Sequence, residues 1–127
     1  MINISYNTDE HRVFETGTGK RPVLDFLLNL DCKLRVKTVG VIRLLEEKGD
    51  SLREPFSKKI DDHIFELRIR QGSNLVRILY FYAENGTACL TNGFIKKTDR
   101  IPERELLKAN RHRNDYLKRR RDETERS

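Results

Sequence analysis

Residues Ile64 to Lys97 read IFELRIR, QGSN, LVRILYFY, AENGT and ACLTNGFIKK. Three segments rich in branched and aromatic residues are separated by two short stretches with turn chemistry, which predicts a three-stranded antiparallel meander. Asn85-Gly86 is the pair that best supplies the two positive-φ positions of a type I′ hairpin. A two-residue tip there sets Glu84 opposite Thr87, Phe81 opposite Leu90, Leu79 opposite Asn92 and Arg77 opposite Phe94. A loop of Gln71 to Asn74 sets Arg70 opposite Leu75, Arg68 opposite Arg77 and Glu66 opposite Leu79.

Side chains alternate across a strand, so this register sorts the residues onto two faces. One collects Phe65, Leu67, Ile69, Val76, Ile78 and Tyr80 and reads as a core face. The other carries Glu66, Arg68, Arg70, Arg77, Asn92, Phe94 and Lys96 at one end, with Ile64, Leu79, Phe81 and Leu90 at the other. Like charges directly opposite in a sheet destabilise it. Arg68 against Arg77 therefore requires a counter-charge, either Glu66 between them or an anion bound from outside.

Working outward, 127 residues suffice for one domain with a core that needs neither metal nor disulfide. The formal net charge of +6 and pI near 9.5 point to an anionic partner, nucleic acid most often. Mean hydropathy of -0.73 and the lack of any run near 20 apolar residues argue against a membrane span. The N-terminus lacks the basic-then-apolar layout of a signal peptide, so a cytoplasmic location is expected. Cys32 and Cys89 have no metal-site or disulfide spacing and read as small buried thiols.

In chain order, Ile2, Ile4 and Tyr6 alternate with polar residues as a half-buried strand, resumed as an edge segment over Arg12 to Thr16. Gly17-Thr18-Gly19-Lys20 resembles a phosphate loop only superficially. A Gly is missing at Phe14 and a Ser or Thr at Arg21. Pro22 to Leu30 predicts a short helix with a stripe of Val23, Phe26, Leu27 and Leu30. Asp31 caps a second helix to about Lys48, closed by Gly49. Its stripe is Leu34, Thr38, Val41, Ile42 and Leu45, with Lys33, Lys37, Arg43 and Glu47 outward. The two helices form a hairpin expected on the apolar face of the meander. Asp50 to Lys59 reads as a connector in which Phe56 plugs the core edge. Lys58 and Lys59 there are either a solvated pair or contacts to an anionic polymer. Pro102 starts a C-terminal helix to about Lys118, with a thin stripe of Leu106, Ala109, Tyr116 and Leu117 and a basic far end. Residues 119–127 read as a frayed basic tail.

This order of elements resembles the RelE/ParE toxin superfamily of type II toxin–antitoxin systems, and within it the HigB-like, phage-derived branch. The resemblance rests on Arg21-Pro22-Val23 with Phe26-Leu27, Pro55 with Lys58-Lys59, Glu66-Leu67-Arg68, Arg77-Ile78-Leu79-Tyr80-Phe81, and Gly93-Phe94-Ile95-Lys96-Lys97 before Ile101-Pro102. It covers nearly the whole of residues 1–127, taken as one domain. It implies an α+β RelE-like fold: an N-terminal strand, a two-helix hairpin packed on an antiparallel meander, and a basic C-terminal helix. The implied activity is ribosome-dependent cleavage of mRNA, without metal or cofactor. The implied partners are the ribosome, mRNA and a co-encoded HigA-like helix-turn-helix antitoxin. Arg77 matches the family's arginine on the second meander strand, and Lys96 and Lys97 its basic pair after the third. Ile64 and Glu66 stand where RelE-type lysines fall, and Glu103 near the helix tyrosine, so acid and base roles do not transfer.

Internal RNA cleavage requires a 2′-hydroxyl to attack the adjacent phosphate, helped by a base, an acid and cations at the developing charge. Arginine suits the last role because its planar fork pairs with phosphate oxygens. The candidate catalytic set is Arg68, Arg77, Lys96 and Glu66, with Glu66 either a base or the neutraliser of the two arginines. The candidate RNA-binding set is Lys58, Lys59, Arg70, Asn92, Phe94 and Lys97. Phe94 either stacks a base or is an ordinary core aromatic. His63 is either a proton shuttle beside the strand or plain surface. Two other functions fit the same sequence: a ParE-like gyrase inhibitor, and a non-catalytic basic protein that binds nucleic acid or the ribosome.

Overall fold

The computed structural model describes residues 13–83, 86–96 and 100–126. Among these residues three helices, α1 (Pro22–Leu28), α2 (Cys32–Lys48) and α3 (Glu103–Arg126), accompany four strands, β1 (Ser57–Lys59), β2 (Phe65–Gln71), β3 (Asn74–Tyr82) and β4 (Ala88–Lys96). The strands form one antiparallel sheet in the order β1-β2-β3-β4, and the fold is α+β. The N-terminal strand expected over Ile2 to Tyr6 lies outside the described residues. Val13 makes a parallel bridge to Leu90, and the Phe14 N–H reaches the Leu90 carbonyl at 2.8 Å.

The helical hairpin covers the face expected for it. Pro22 sits in the first turn of α1, which buries Val23 and Leu27. The helix closes at Leu28 rather than Leu30, although Leu30 remains buried. The Asp31 carboxylate accepts the Leu34 N–H at 2.9 Å, which satisfies one of the orphan donors at the start of α2. Gly49, at φ 55°, ends that helix. The whole predicted stripe of α2 is buried, and Val39 joins it. These helices and Leu67, Ile69, Val76, Ile78 and Tyr80 form the larger core.

The β2–β3 register is the expected one, with Arg68 opposite Arg77 and Glu66 opposite Leu79. The β3–β4 register agrees from Arg77–Phe94 to Leu79–Asn92 and then shifts by one residue. Tyr80 faces Leu90 and Phe81 faces Cys89, which corrects the expected Phe81–Leu90 pair. Thr91 is the extra residue of a bulge, its hydroxyl 3.0 Å from the Leu79 carbonyl. The bulge turns Leu90 towards the helical hairpin and Cys89 towards the opposite face. At the hairpin tip, Ala83 rather than Glu84 pairs with Thr87. Gly86 adopts φ 81° and donates to the Ala83 carbonyl at 2.9 Å. Glu84 and Asn85 themselves lie outside the described residues.

The Asp50–Lys59 connector holds structure of its own. A 3-10 turn spans Gly49–Ser51, and Ser57, Lys58 and Lys59 pair with Leu67, Glu66 and Phe65 as a fourth strand. Phe56 does not plug the core; it is 38% exposed. Cys89 is buried as expected, but Cys32 is exposed at the first position of α2, where the helix faces solvent.

α3 lies on the second face of the sheet. Ala109, Leu106 and Tyr116 pack with Phe14, Ile64, Leu79, Phe81 and Cys89 in a second core. The helix continues to Arg126, past the expected end near Lys118. Arg119 accounts for part of this extension. Its guanidinium lies 5.3 Å from the centre of the Phe14 ring, donates to the Glu15 carbonyl and sits 3.3 Å from Asp115. The next residue, Arg120, pairs with Glu123 one turn on at 3.5 Å.

Candidate functional site

Because α3 occupies the apolar end of the second face, the site is defined by what remains at the other end. Two cross-strand rows meet there: Arg68–Arg77–Phe94 and Arg70–Leu75–Lys96. Strands lie about 4.8 Å apart, so the outer members of each row are roughly 10 Å from each other. Arg77 and Leu75, on the central strand, are buried; Arg70 is exposed, and Arg68, Phe94 and Lys96 are half-buried. The result is a cationic corner with a buried arginine beneath it.

Glu66 resolves the like-charge opposition. Its two oxygens divide between the arginines, with Arg77 Nε 3.0 Å from Oε2 and Arg68 Nε 3.2 Å from Oε1. All three residues project from one face of two adjacent strands, Glu66 two positions before Arg68 and Arg77 directly across from Arg68. Arg77 is 0% exposed, so it is an internal charge that backs the corner rather than part of its surface. Arg68 keeps one-fifth of its side chain accessible and is the member of the pair that reaches outward.

The other candidates divide in the same way. Lys58 and Lys59 are exposed on edge strand β1. Asn92 is buried under α3, where its amide donates to the Glu105 carbonyl at 3.2 Å and to Glu105 Oε1 at 3.1 Å. It therefore joins the sheet to the helix. Phe94 packs at the margin of the second core. Lys97 lies outside the described residues. His63 is exposed in the β1–β2 turn, where the Asp61 carboxylate accepts its N–H at 3.0 Å and that of Ile64 at 2.8 Å. Among the described residues, no three His, Cys, Asp or Glu side chains gather as a metal site.

Two features escaped the sequence reading. Glu105 is one, a buried carboxylate whose position depends on how α3 docks. The other is a cleft of about 370 Å³ at the open edge of β2. β1 ends its pairing at Ser57–Leu67, and the last main-chain bond along that edge runs from the Arg68 N–H to the Phe56 carbonyl at 2.8 Å. Further along, the Lys37 ammonium of α2 donates to the Arg70 carbonyl. The cleft opens between these two links, and Arg68 and Arg70 belong both to its wall and to the cationic corner.

The model of the family described as phage-derived protein Gp49-like (DUF891) matches residues 25–114, and the chain belongs to that family. The family is toxin-like and related to RelE-type proteins, which fits a toxin that pairs with an antitoxin. No curated protein matches the chain. Among the described residues, no helix is long and apolar enough to cross a membrane.

Proposed function

We propose that this member of the Gp49-like family is the toxin of a type II toxin–antitoxin system, a HigB-like endoribonuclease that cuts mRNA on the ribosome. The observation that carries the proposal is the cationic corner, where Arg68, Arg70 and Lys96 surround buried Leu75 with Phe94 alongside. A phosphodiester placed there lies between Arg68 and Arg70 on one side and Lys96 on the other, whose strands stand roughly 10 Å apart. Arg68 and Lys96 are the groups suited to the charge that develops on the phosphorane oxygens, and Arg77 raises the potential from below. Glu66 holds the two arginines in place before RNA binds. Lys58, on the face of Glu66 and Arg68, extends the basic surface along β1 for the RNA backbone, and Lys59 projects from the other side of that edge.

The test is induction of the wild-type chain and its variants with transcript ends mapped. Wild type should arrest growth and produce new 5′ ends inside translated reading frames. Arg68→Ala and Lys96→Ala should each lower cleavage by at least tenfold while the purified proteins keep their circular dichroism, because both side chains reach the surface. Growth arrest with intact transcripts and inhibited DNA supercoiling would replace this function with gyrase inhibition. No arrest at all would leave a basic binding protein.

A further inference from the structure

We propose that the cleft at the open edge of β2 is a base pocket, which takes a purine of the bound RNA and prefers guanine to adenine; this rests on the RNA-cutting function above. The cleft has two kinds of lining. Buried Val41, Ile69 and Leu75 give it an apolar floor, and exposed Phe56 gives it an aromatic wall. Lys37, Arg68 and Arg70 supply the only charges of the lining, all positive. That combination suits a flat, largely apolar ring attached to an anionic backbone. Its volume of about 370 Å³ falls within the range of small-molecule sites.

Position connects the cleft to the cationic corner. Arg68 lines the cleft and also contacts Glu66 at 3.2 Å, and Arg70 lies two residues further along the same strand face. A phosphate at the corner therefore places the neighbouring base at the mouth of the cleft. An exposed aromatic side chain stacks any base, whereas the polar rim can discriminate among them. No side chain of the lining carries a hydrogen-bond acceptor, since lysine and arginine are donors only. Guanine presents two adjacent acceptors, N7 and O6, where adenine pairs N7 with an amino donor. Lys37, tied to the Arg70 carbonyl through one of its three N–H groups, stands on this rim.

The experiment is a titration of the full-length, isotope-labelled protein with GMP, AMP and ribose 5-phosphate, followed by amide shifts. GMP should shift Phe56, Ile69, Arg70 and Leu75 and bind more tightly than AMP, and both should exceed ribose 5-phosphate. Phe56→Ala should weaken GMP about tenfold. Phe56→Tyr should restore it. Equal binding of GMP and ribose 5-phosphate, AMP at least as tight as GMP, shifts confined to another surface, or an unaffected Phe56→Ala each overturn the pocket. Transcript-end mapping of the wild type judges the nuclease function separately, because the nucleotide titration needs no cleavage. Where wild type cuts, Phe56→Ala should lose base bias beside the cut.

Discussion

Replacing Glu66 by Gln should be among the most destabilising single changes in the protein, and its size follows from the site geometry. The Glu66 and Arg77 side chains are 2% and 0% exposed, with 3.0 Å between Oε2 and Nε. The same carboxylate stands 3.2 Å from Arg68. Removing its charge leaves an arginine that cannot reach water and a second one pressed against it across the strands. Breaking a buried pair from one side costs about 3–5 kcal/mol. A domain of this size has about 5–15 kcal/mol of total stability. At about 4 °C per kcal/mol, the midpoint of thermal unfolding should fall by about 12–20 °C. Urea titration followed by circular dichroism measures the loss directly. The partner variant is Glu66→Leu with Arg77→Met, which replaces the pair by apolar groups and should recover most of the loss, because the desolvation of both charges disappears with them. A Glu66→Gln loss below about 1 kcal/mol would refute the shared-carboxylate argument. So would a double variant no more stable than the sum of the singles. The same double variant also separates structure from function: if it folds and still cuts mRNA, Arg77 takes no part in the chemistry.

Gly93 leaves no room for a side chain, since a Cβ there would stand 2.5 Å from Phe26 Cδ2. Gly93→Ala should cost about 1–3 kcal/mol in urea unfolding, and Phe26→Leu in the same chain should return part of it. His112 lies 4.5 Å from the Phe14 ring, and burial, with Lys108 and Arg111 nearby, holds its pKa below the ordinary 6.5 while Asp115 opposes them. The unfolded chain therefore takes up this proton first on acidification. The contribution is full above pH 6.5 and is lost as pH falls through the lowered folded value. His112→Gln should flatten the slope of stability against pH just below 6.5, and an unchanged slope would reassign it to other groups.

The parts of this fold legible in the sequence are those in which one local rule fixes one contact. Asp31 and Gly49 bound α2 by capping chemistry alone. The Arg68–Arg77 opposition, written from a loop length, required a counter-charge on the same face, and Glu66 supplies it. The β3–β4 hairpin shows where such rules cease to be independent. Its tip pairs Ala83 with Thr87, one residue away from a two-residue turn, and the extra residue at Thr91 takes up the difference before the site is reached. Arg77–Phe94 and Leu79–Asn92 therefore pair as the two-residue turn required, although the strand between them and the tip does not. β1 was invisible because Ser57, Lys58 and Lys59 have no hydrophobic period and pair only because β2 offers an edge. The distinction between structural and accessible charge was invisible for a different reason. Leu106, Ala109 and Tyr116 mark α3 as amphipathic, but nothing local says which sheet face receives them. Once α3 covers the end carrying Leu79 and Phe81, Asn92 becomes a buried link to Glu105. Arg77 is internal by its place on the central strand, held by Glu66, while Arg68, Arg70 and Lys96 of the same face stay at the surface. The candidate surface is thus fixed by the docking of a helix that contributes none of these three cations.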